Sequence, residues 1–342
     1  MEKHHFYMRR ALDLAHLGMG SVSPNPMVGC VIVCEGQIIA EGYHEYYGGP
    51  HAEPNAIAKV DDPELLKKST VYVTLEPCAH FGKTPPCANL LVDKGVKKVV
   101  IGAVDTNPLV GGKGIAILRN AGIEVIHGIL EPEVRLQNRR FFTFMEQKRP
   151  YITLKWAQSI DGFVARENFD SKWISNQYSR QLVHRWRTEE DAIMVGTNTA
   201  RYDNPKLNVR DWDGNNPIRI VVDRMLQLDK GLALFDQQQP TICFNIVEDA
   251  VFENLEYVKL EPDFQVADIF KVLYERKIQS VLIEGGTFLL NKIIEAELWD
   301  EARVFTGQVH FNKGIPAPKI NGVRKDRLDV MGDTLELWIR KR

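Results

Sequence analysis

Apolar positions recur along the first part of the chain at two alternating periods. Over residues 7–18, Met8, Ala11, Leu12, Ala15 and Leu17 keep the spacing of one helix face, so a helix is expected there. Pro24-Asn25-Pro26 reads as a rigid loop. Residues 27–34 and 37–42 read as two strands joined at Glu35-Gly36. Helices follow over 51–58, 88–93 (stopped at Gly95) and 115–120 (stopped at Gly122). Strands are expected over 71–75, 96–104 and 124–127. Strands interleaved with helices predict an α/β layer architecture.

The pattern breaks at the polar run 146–150, which ends in Pro150, and then starts again. Strands are expected over 151–156, 192–195, 218–222 and 280–283, and helices over 179–188, 269–275 and 288–296. A length of 342 residues suits two domains, expected over 1–147 and 148–342.

Composition narrows the function classes. The formal net charge of −2 weighs against a general nucleic-acid binder. No apolar run reaches the length of a membrane span, and Met1-Glu2-Lys3-His4-His5-Phe6 lacks the apolar stretch of a secretion signal. A cytoplasmic protein with no membrane or nucleic-acid partner is therefore expected, and a homo-oligomer is compatible with the sequence. The five cysteines are an odd set, which argues against a disulfide framework. Cys30, Cys34 and Cys243 sit in apolar strand-like segments and read as buried small hydrophobes.

The other two cysteines join a different pattern: His51-Ala52-Glu53, Pro77-Cys78 and Cys87. One histidine and two thiolates suit Zn2+ in ligand type and softness. Three protein ligands leave a fourth position for water, the mark of a catalytic site, and zinc brings that water's pKa towards about 7. Glu53, two residues after the histidine, can face the same cavity and carry protons. Pro54 belongs in a helix's first turn, which puts His51 and Glu53 at a helix start. Cys87 also precedes a helical run, so its thiolate is expected to be favoured by the helix start. Zinc nucleobase deaminases carry an H-x-E…P-C-x-x-C pattern. Here the cysteines are separated by the longer insert 79–86. A closed zinc knot with His80 as fourth ligand is the alternative, but it leaves Glu53 without a role. Gly82-Lys83-Thr84 is no phosphate loop, because Pro77 stands where that motif needs glycine. Gly111-Gly112-Lys113-Gly114 reads as a turn.

Taken together, these pieces resemble the bifunctional riboflavin-biosynthesis deaminase/reductase family. The resemblance rests on Pro24-Asn-Pro-Met-Val-Gly29, Gly42-Tyr-His44, His51-Ala-Glu53, Thr74-Leu-Glu-Pro-Cys-Ala-His80, Gly82-Lys-Thr-Pro-Pro-Cys87 and Asp105-Thr-Asn-Pro108. The long insert between the cysteines is itself characteristic of that family. The likeness continues through Lys155-Trp-Ala-Gln-Ser-Ile-Asp-Gly162, Trp173-Ile174, Asp191-Ala-Ile-Met-Val-Gly196 and Glu284-Gly-Gly286.

The resemblance implies a cytidine-deaminase-like domain followed by a dihydrofolate-reductase-like domain. It implies deamination of a diaminopyrimidinone bearing a phosphoribosylamino group, then NADPH reduction of the ribosyl chain to ribityl. Zinc binding is carried to His51, Cys78 and Cys87, and proton transfer to Glu53. Asn25, His44, His80 and Lys83 match deaminase substrate contacts. Ala157, Trp173, Thr199, Asp203, Gly286 and Thr287 match cofactor positions. Ser171, Arg187, Leu207, Arg210 and Glu284 match positions that meet the reductase substrate, a small pyrimidine ribonucleotide-like molecule. Two other readings compete: a deaminase acting on a base within RNA, and a structural zinc protein with no catalysis.

Overall fold

The computed structural model describes residues 2–79, 85–107 and 111–341. The chain divides into two compact units, Met1–Lys148 and Arg149–Arg342.

In the first unit, α1 (Glu2–His16) leads into β1 (Gly29–Cys34), β2 (Gln37–Tyr43), α2 (Ala52–Ile57), β3 (Thr70–Leu75) and α3 (Cys87–Asp93). Then come β4 (Lys98–Ala103), α4 (Lys113–Asn120), β5 (Glu124–His127), α5 (Glu131–Gln137) and α6 (Arg139–Gln147). The strands form a sheet in the order β2-β1-β3-β4-β5. The β2-β1 and β1-β3 pairs are antiparallel; β3-β4 and β4-β5 are parallel. Every residue of β1 is buried, because both faces of the sheet are covered. Val31 and Val33 pack under Tyr7, Met8, Ala11 and Leu14 of α1. Cys30 and Ile32 pack on the opposite face with Ala52, Ala56 and Leu91.

The first helix departs from its expected range. It runs from Glu2 and ends at His16, so Leu17 lies beyond it and is exposed rather than part of the apolar stripe. Helices α5 and α6 were not visible in the pattern, because each offers only a short apolar set to Leu75 and Ala103. Asn138 sits between them and exchanges two hydrogen bonds with the Met27 backbone, at 2.8 and 2.9 Å. This ties the Pro24–Met27 loop to the body of the unit.

The second unit runs β6 (Tyr151–Gln158), β7 (Phe163–Ala165), α7 (Gln177–Glu189), β8 (Ala192–Gly196), α8 (Thr197–Asp203), β9 (Ile218–Val222), β10 (Thr241–Asn245), β11 (Ala250–Val251) and β12 (Leu255–Lys259). It continues with α9 (Val266–Glu275), β13 (Ser280–Glu284), α10 (Thr287–Glu295), β14 (Glu301–Thr306), β15 (Ile315–Pro316), β16 (Gly322–Val330) and β17 (Asp333–Arg340). The main sheet has the order β11-β12-β10-β9-β8-β13-β6-β14-β17-β16. From β12 to β14 its neighbours are parallel, and antiparallel strands close both ends. Ile152, Leu154 and Ile283 join Phe270, Leu273, Leu290 and Ile293 of α9 and α10 in one core. On the other face, Leu282 and Phe305 meet Val183 and Trp186 of α7. Cys30, Cys34 and Cys243 lie buried in β1 and β10, as their apolar context predicts.

Candidate active sites

In the first unit, the ends of β3, α2 and α3 converge. His51 is the residue preceding α2, Glu53 lies in that helix's first turn with Pro54 beside it, and Cys87 opens α3. The His51 Nδ1 atom lies 3.6 Å from Cys78 Sγ and 3.3 Å from Cys87 Sγ. The three ligand atoms all fall within 4.8 Å of one another. A tetrahedral zinc bonded at about 2.1 Å to nitrogen and about 2.3 Å to sulfur separates such atoms by about 3.6 Å. Donor chemistry and spacing therefore fit one zinc ion. Among the described residues, no other cluster of potential ligands is drawn together in this way.

The electrostatics agree. The Cys78 thiol is held down to about 4, by a hydrogen bond from Cys87 first and then, against the opposing effect of burial, by bonding to His51. Cys87 is pushed well above the ordinary thiol range, by Cys78 first and then by burial. Between the two thiols the negative charge thus sits on Cys78. The reason is geometric: the Cys87 backbone N–H points at Cys78 Sγ, 3.3 Å away, so the helix start serves its neighbour. The Glu53 side chain is buried, and its pKa is raised by burial and by the Cys78 charge. A buried carboxyl beside a thiolate is a pocket that a soft divalent cation would suit.

The surrounding residues are tightly placed. Glu76, at the end of β3, is 4% exposed and accepts from the backbone N–H groups of Asp105, Gly112 and Ile115. It fastens the Pro77-Cys78 segment to the start of α4. His44 is buried, with Nδ1 2.9 Å from the Pro50 carbonyl and Nε2 3.0 Å from Asn25 Nδ2. A carbonyl can only accept, so Nδ1 carries the proton and Nε2 accepts from Asn25. The His44 ring meets His51 edge-on at 5.4 Å between centroids. Of the four expected substrate contacts, His44 thus adjoins the histidine of the cluster and Asn25 bonds to His44, while His80 and Lys83 lie outside the described residues.

The second unit holds a cavity of about 860 Å³ at the C-terminal ends of β6, β8 and β13. All six expected cofactor positions line it: Ala157, Trp173, Thr199, Asp203, Gly286 and Thr287. So do the five expected substrate positions, Ser171, Arg187, Leu207, Arg210 and Glu284. Gly285 and Gly286 have φ of 74° and 77°, a region that favours glycine, and Gly286 immediately precedes α10. A Cβ at Gly286 would come within 3.1 Å of Thr199 Oγ1. The bare backbone there offers N–H groups and the helix's positive end to a phosphate, which fits a dinucleotide cofactor.

Glu284 accepts two bonds from Arg187, at 2.9 and 3.0 Å, and lies 3.9 Å from Lys155 Nζ. Burial alone would raise its pKa; the charges of Arg187 and Lys155 outweigh that and hold it at about 2. Lys155 is itself lowered by burial, with Glu284 opposing. The sequence reading missed Lys155 as a site residue. Its signals were a lysine inside the largely apolar strand Tyr-Ile-Thr-Leu-Lys-Trp and its place at the head of the matching segment Lys155–Gly162. The reading also missed His184, which lines the same cavity from α7 and is 2% exposed. Tyr202 stacks on Phe169 at 4.3 Å and Ser171 donates to Asp203 at 3.1 Å, so two contacts fasten the segment before α7 to α8 at the cavity.

The chain is similar to proteins of known activity in both parts. Residues 1–103 match the cytidine and deoxycytidylate deaminase zinc-binding region, and residues 150–309 match the RibD C-terminal domain. The chain is 39% identical to the riboflavin biosynthesis protein RibD of Aquifex aeolicus, over 98% of each chain. It is 35% identical to the Escherichia coli protein of that name, covering 88% of this chain and 86% of the relative. Among solved structures, a Thermotoga maritima diaminohydroxyphosphoribosylaminopyrimidine deaminase/5-amino-6-(5-phosphoribosylamino)uracil reductase superposes with a TM-score of 0.91 at 37% identity, over 99% of each chain. Acinetobacter baumannii RibD also gives a TM-score of 0.91, at 33% identity, over 100% of this chain and 99% of that one.

Proposed function

The chain belongs to the riboflavin biosynthesis protein RibD family, and from that premise we propose how its two units divide the family's two reactions. The protein is a bifunctional enzyme of riboflavin biosynthesis, a zinc-dependent pyrimidine deaminase and an NADPH-dependent reductase. Its fold is a cytidine-deaminase-like domain followed by a dihydrofolate-reductase-like domain. It acts on small molecules. We assign deamination to residues 1–147 and reduction to residues 148–342.

The observation that carries the first assignment is the packing of His51, Cys78 and Cys87 within 4.8 Å, with the buried Glu53 at the same helix start. These three residues would hold zinc, which would supply a water made nucleophilic at neutral pH. Glu53 takes the water's proton and returns it to the departing amine, for which a raised carboxyl pKa is suited. The carboxamide of Asn25 and the ring of His44 border the substrate.

In the reductase, NADPH would be held in this cavity and would supply the hydride that the ribosyl carbon needs. The backbone at Gly286 and Thr287 would receive a cofactor phosphate, and Ala157, Trp173, Thr199 and Asp203 would help to hold the dinucleotide. Ring opening also needs a proton. Lys155, buried beside the Glu284 carboxylate, lies in the cavity and can deliver one from its ammonium group. Arg187 orients Glu284, and Arg210 meets the substrate's phosphate, with Ser171 and Leu207 alongside. Five cations border the cavity (Lys155, Lys172, Arg180, Arg187 and Arg210) against two carboxylates, Asp203 and Glu284, which favours an anionic substrate. The cytoplasm is the compartment we favour, because it keeps thiolates reduced.

Cys87→Ser tests the division. Elemental analysis should show zinc largely lost and ammonia release abolished, while the variant still oxidises NADPH when given the deaminated pyrimidine. Zinc retained in full would overturn the ligand set, and loss of both activities would overturn the division between units.

A further inference from the structure

Arg210 lines the reductase cavity, and the next residue, Asp211, carries the opposite charge. Left to themselves they would pair, and Arg210 would be of little use to an anionic substrate. The structure leaves that pairing loose. Arg210 Nε is 3.8 Å from Asp211, and its Nη1 reaches only Asn208 Oδ1, at 3.5 Å. The carboxylate of Asp211 instead lies 3.2 Å from Nε2 of His184. The other ring nitrogen of His184, Nδ1, accepts the backbone N–H of Arg210 at 3.4 Å.

That second bond fixes the tautomer. A backbone N–H can only donate, so Nδ1 is the acceptor and Nε2 carries the proton that faces Asp211. One neutral ring thus grips the main chain of Arg210 and the side chain of Asp211 together. Burial first, and then Arg187 and Arg210, lower the His184 pKa to about 4, which keeps the ring neutral at working pH. Helix α7 makes a third tie to the same loop. Arg187, one turn after His184, donates from Nη1 to the Asn208 carbonyl at 2.9 Å. Arg187 is also committed to Glu284 through two bonds, whereas the Arg210 side chain is 55% exposed. Arg210 is therefore the less committed of the two guanidinium groups expected to meet the substrate.

We infer that His184 is a positioning residue for the reductase: it holds the Arg210 backbone in place and takes the nearer hold on the Asp211 carboxylate, so that the Arg210–Asp211 contact stays long and the Arg210 guanidinium remains available to the substrate's phosphate. The inference rests on the reading, proposed above, that Arg210 meets that phosphate. His184 touches neither reacting atom; it acts by setting the charge that the anion meets.

The test uses the full-length enzyme, NADPH and the deaminated substrate with and without its phosphate. His184→Phe should raise KM for the phosphorylated substrate roughly tenfold, the scale of one charge-assisted contact, with kcat little changed. The dephosphorylated substrate should show no such change. Adding Asp211→Asn should bring KM back towards the wild-type value, because the competing carboxylate is gone. In an Arg210→Ala background, His184→Phe should add nothing. A rescue by Asp211→Asn is a result that a merely structural histidine would not give. If His184→Phe fails to fold, His184→Asn can retain an acceptor near Nδ1 while losing the Nε2 donor, and the same elevated KM and the same rescue are expected of it. The inference is overturned by equal loss on both substrates, by a fall in kcat at unchanged KM, or by a KM that Asp211→Asn leaves elevated. Wild-type KM in Arg210→Ala alone would instead sink the underlying assignment of the phosphate.

Discussion

Gly114→Ala should strip zinc from the first unit without any ligand being changed. Gly114 lies in the first turn of α4, and a Cβ built there would stand 2.1 Å from the carbonyl oxygen of Pro77 and 3.2 Å from Glu76 Oε1. An ordinary carbon–oxygen contact needs at least about 3.3 Å, so the two backbones must part by roughly 1.2 Å. Neither side can yield cheaply. The Glu76 carboxylate fastens the start of α4 through the N–H groups of Gly112 and Ile115, and β3 delivers the Pro77 segment from a buried sheet. Overpacking of this kind costs about 1–3 kcal/mol of stability. The larger effect falls on Cys78, the very next residue, since a metal site tolerates ligand errors of only about 0.2 Å. Zinc affinity should fall at least as far as when a group supporting the ligands is lost, roughly 10- to 100-fold. Competition with a chelator, read alongside ammonia release, measures this. Reduction of the deaminated substrate is the internal control and should stay normal. Gly112→Ala is the contrasting variant. Its φ of 77° makes alanine strained, but nothing lies within 4 Å of the new Cβ, so it should lower stability by about 1 kcal/mol and keep its zinc. Gly114→Ala with wild-type zinc affinity and deamination would refute the reasoning.

Glu53→Gln should lower deamination by roughly 100- to 10,000-fold while zinc content and reductase rate hold, as elemental analysis and NADPH oxidation will check; near-normal deamination would remove Glu53 as proton carrier. The reductase should lose stability as pH falls. His184 and Glu284 both have lowered native pKa values, so the unfolded chain binds their protons first. The His184 contribution is complete above about 6.5 and fades towards about 4. The Glu284 contribution is complete above about 4.5 and fades towards about 2, and by the conversion of one pKa unit to 1.36 kcal/mol it is on the order of 3 kcal/mol. Denaturant titration of His184→Phe across pH 4 to 6.5 should give a flatter profile than wild type; an unchanged slope would show that another group governs that range.

The deaminase site was legible because its chemistry is local. His51 and Glu53 share one helix start, and Cys78 and Cys87 sit at the ends of neighbouring elements, so ligand type and spacing pointed to zinc before any fold was drawn. Proline at position 54 signalled the helix start for a backbone reason independent of the metal. What stayed hidden there was which sulfur the N–H of α3 serves, a matter of a single vector. Gly114 was hidden in the same way: it reads as turn chemistry, yet its need for hydrogen is a close approach to a carbonyl distant in sequence.

The reductase site carries no comparable local signal. Its residues run from Lys155 to Thr287 and meet because β6, β8 and β13 lie side by side in a parallel sheet, each ending at the same edge. In such an arrangement a site residue is one that ends a buried strand or begins the following helix, and it looks in sequence like any other. Resemblance to a family could supply those positions where periodicity could not. Lys155 and His184 show the remaining gap. One alternates with apolar neighbours along a strand, and the other occupies the buried face of a helix, so each has the pattern of a core residue. Their polarity is explained only when the cavity is seen. A buried ammonium persists because Glu284 faces it, and a buried imidazole persists because both of its nitrogens are satisfied by one loop. The edge strand β16 escaped for the opposite reason. Its segment, Gly-Val-Arg-Lys-Asp-Arg-Leu-Asp-Val, is exposed almost throughout, and the burial that makes a strand visible in sequence is absent there. Charged residues at such an edge discourage a further strand from adding to the sheet, which is a sufficient physical reason for that composition.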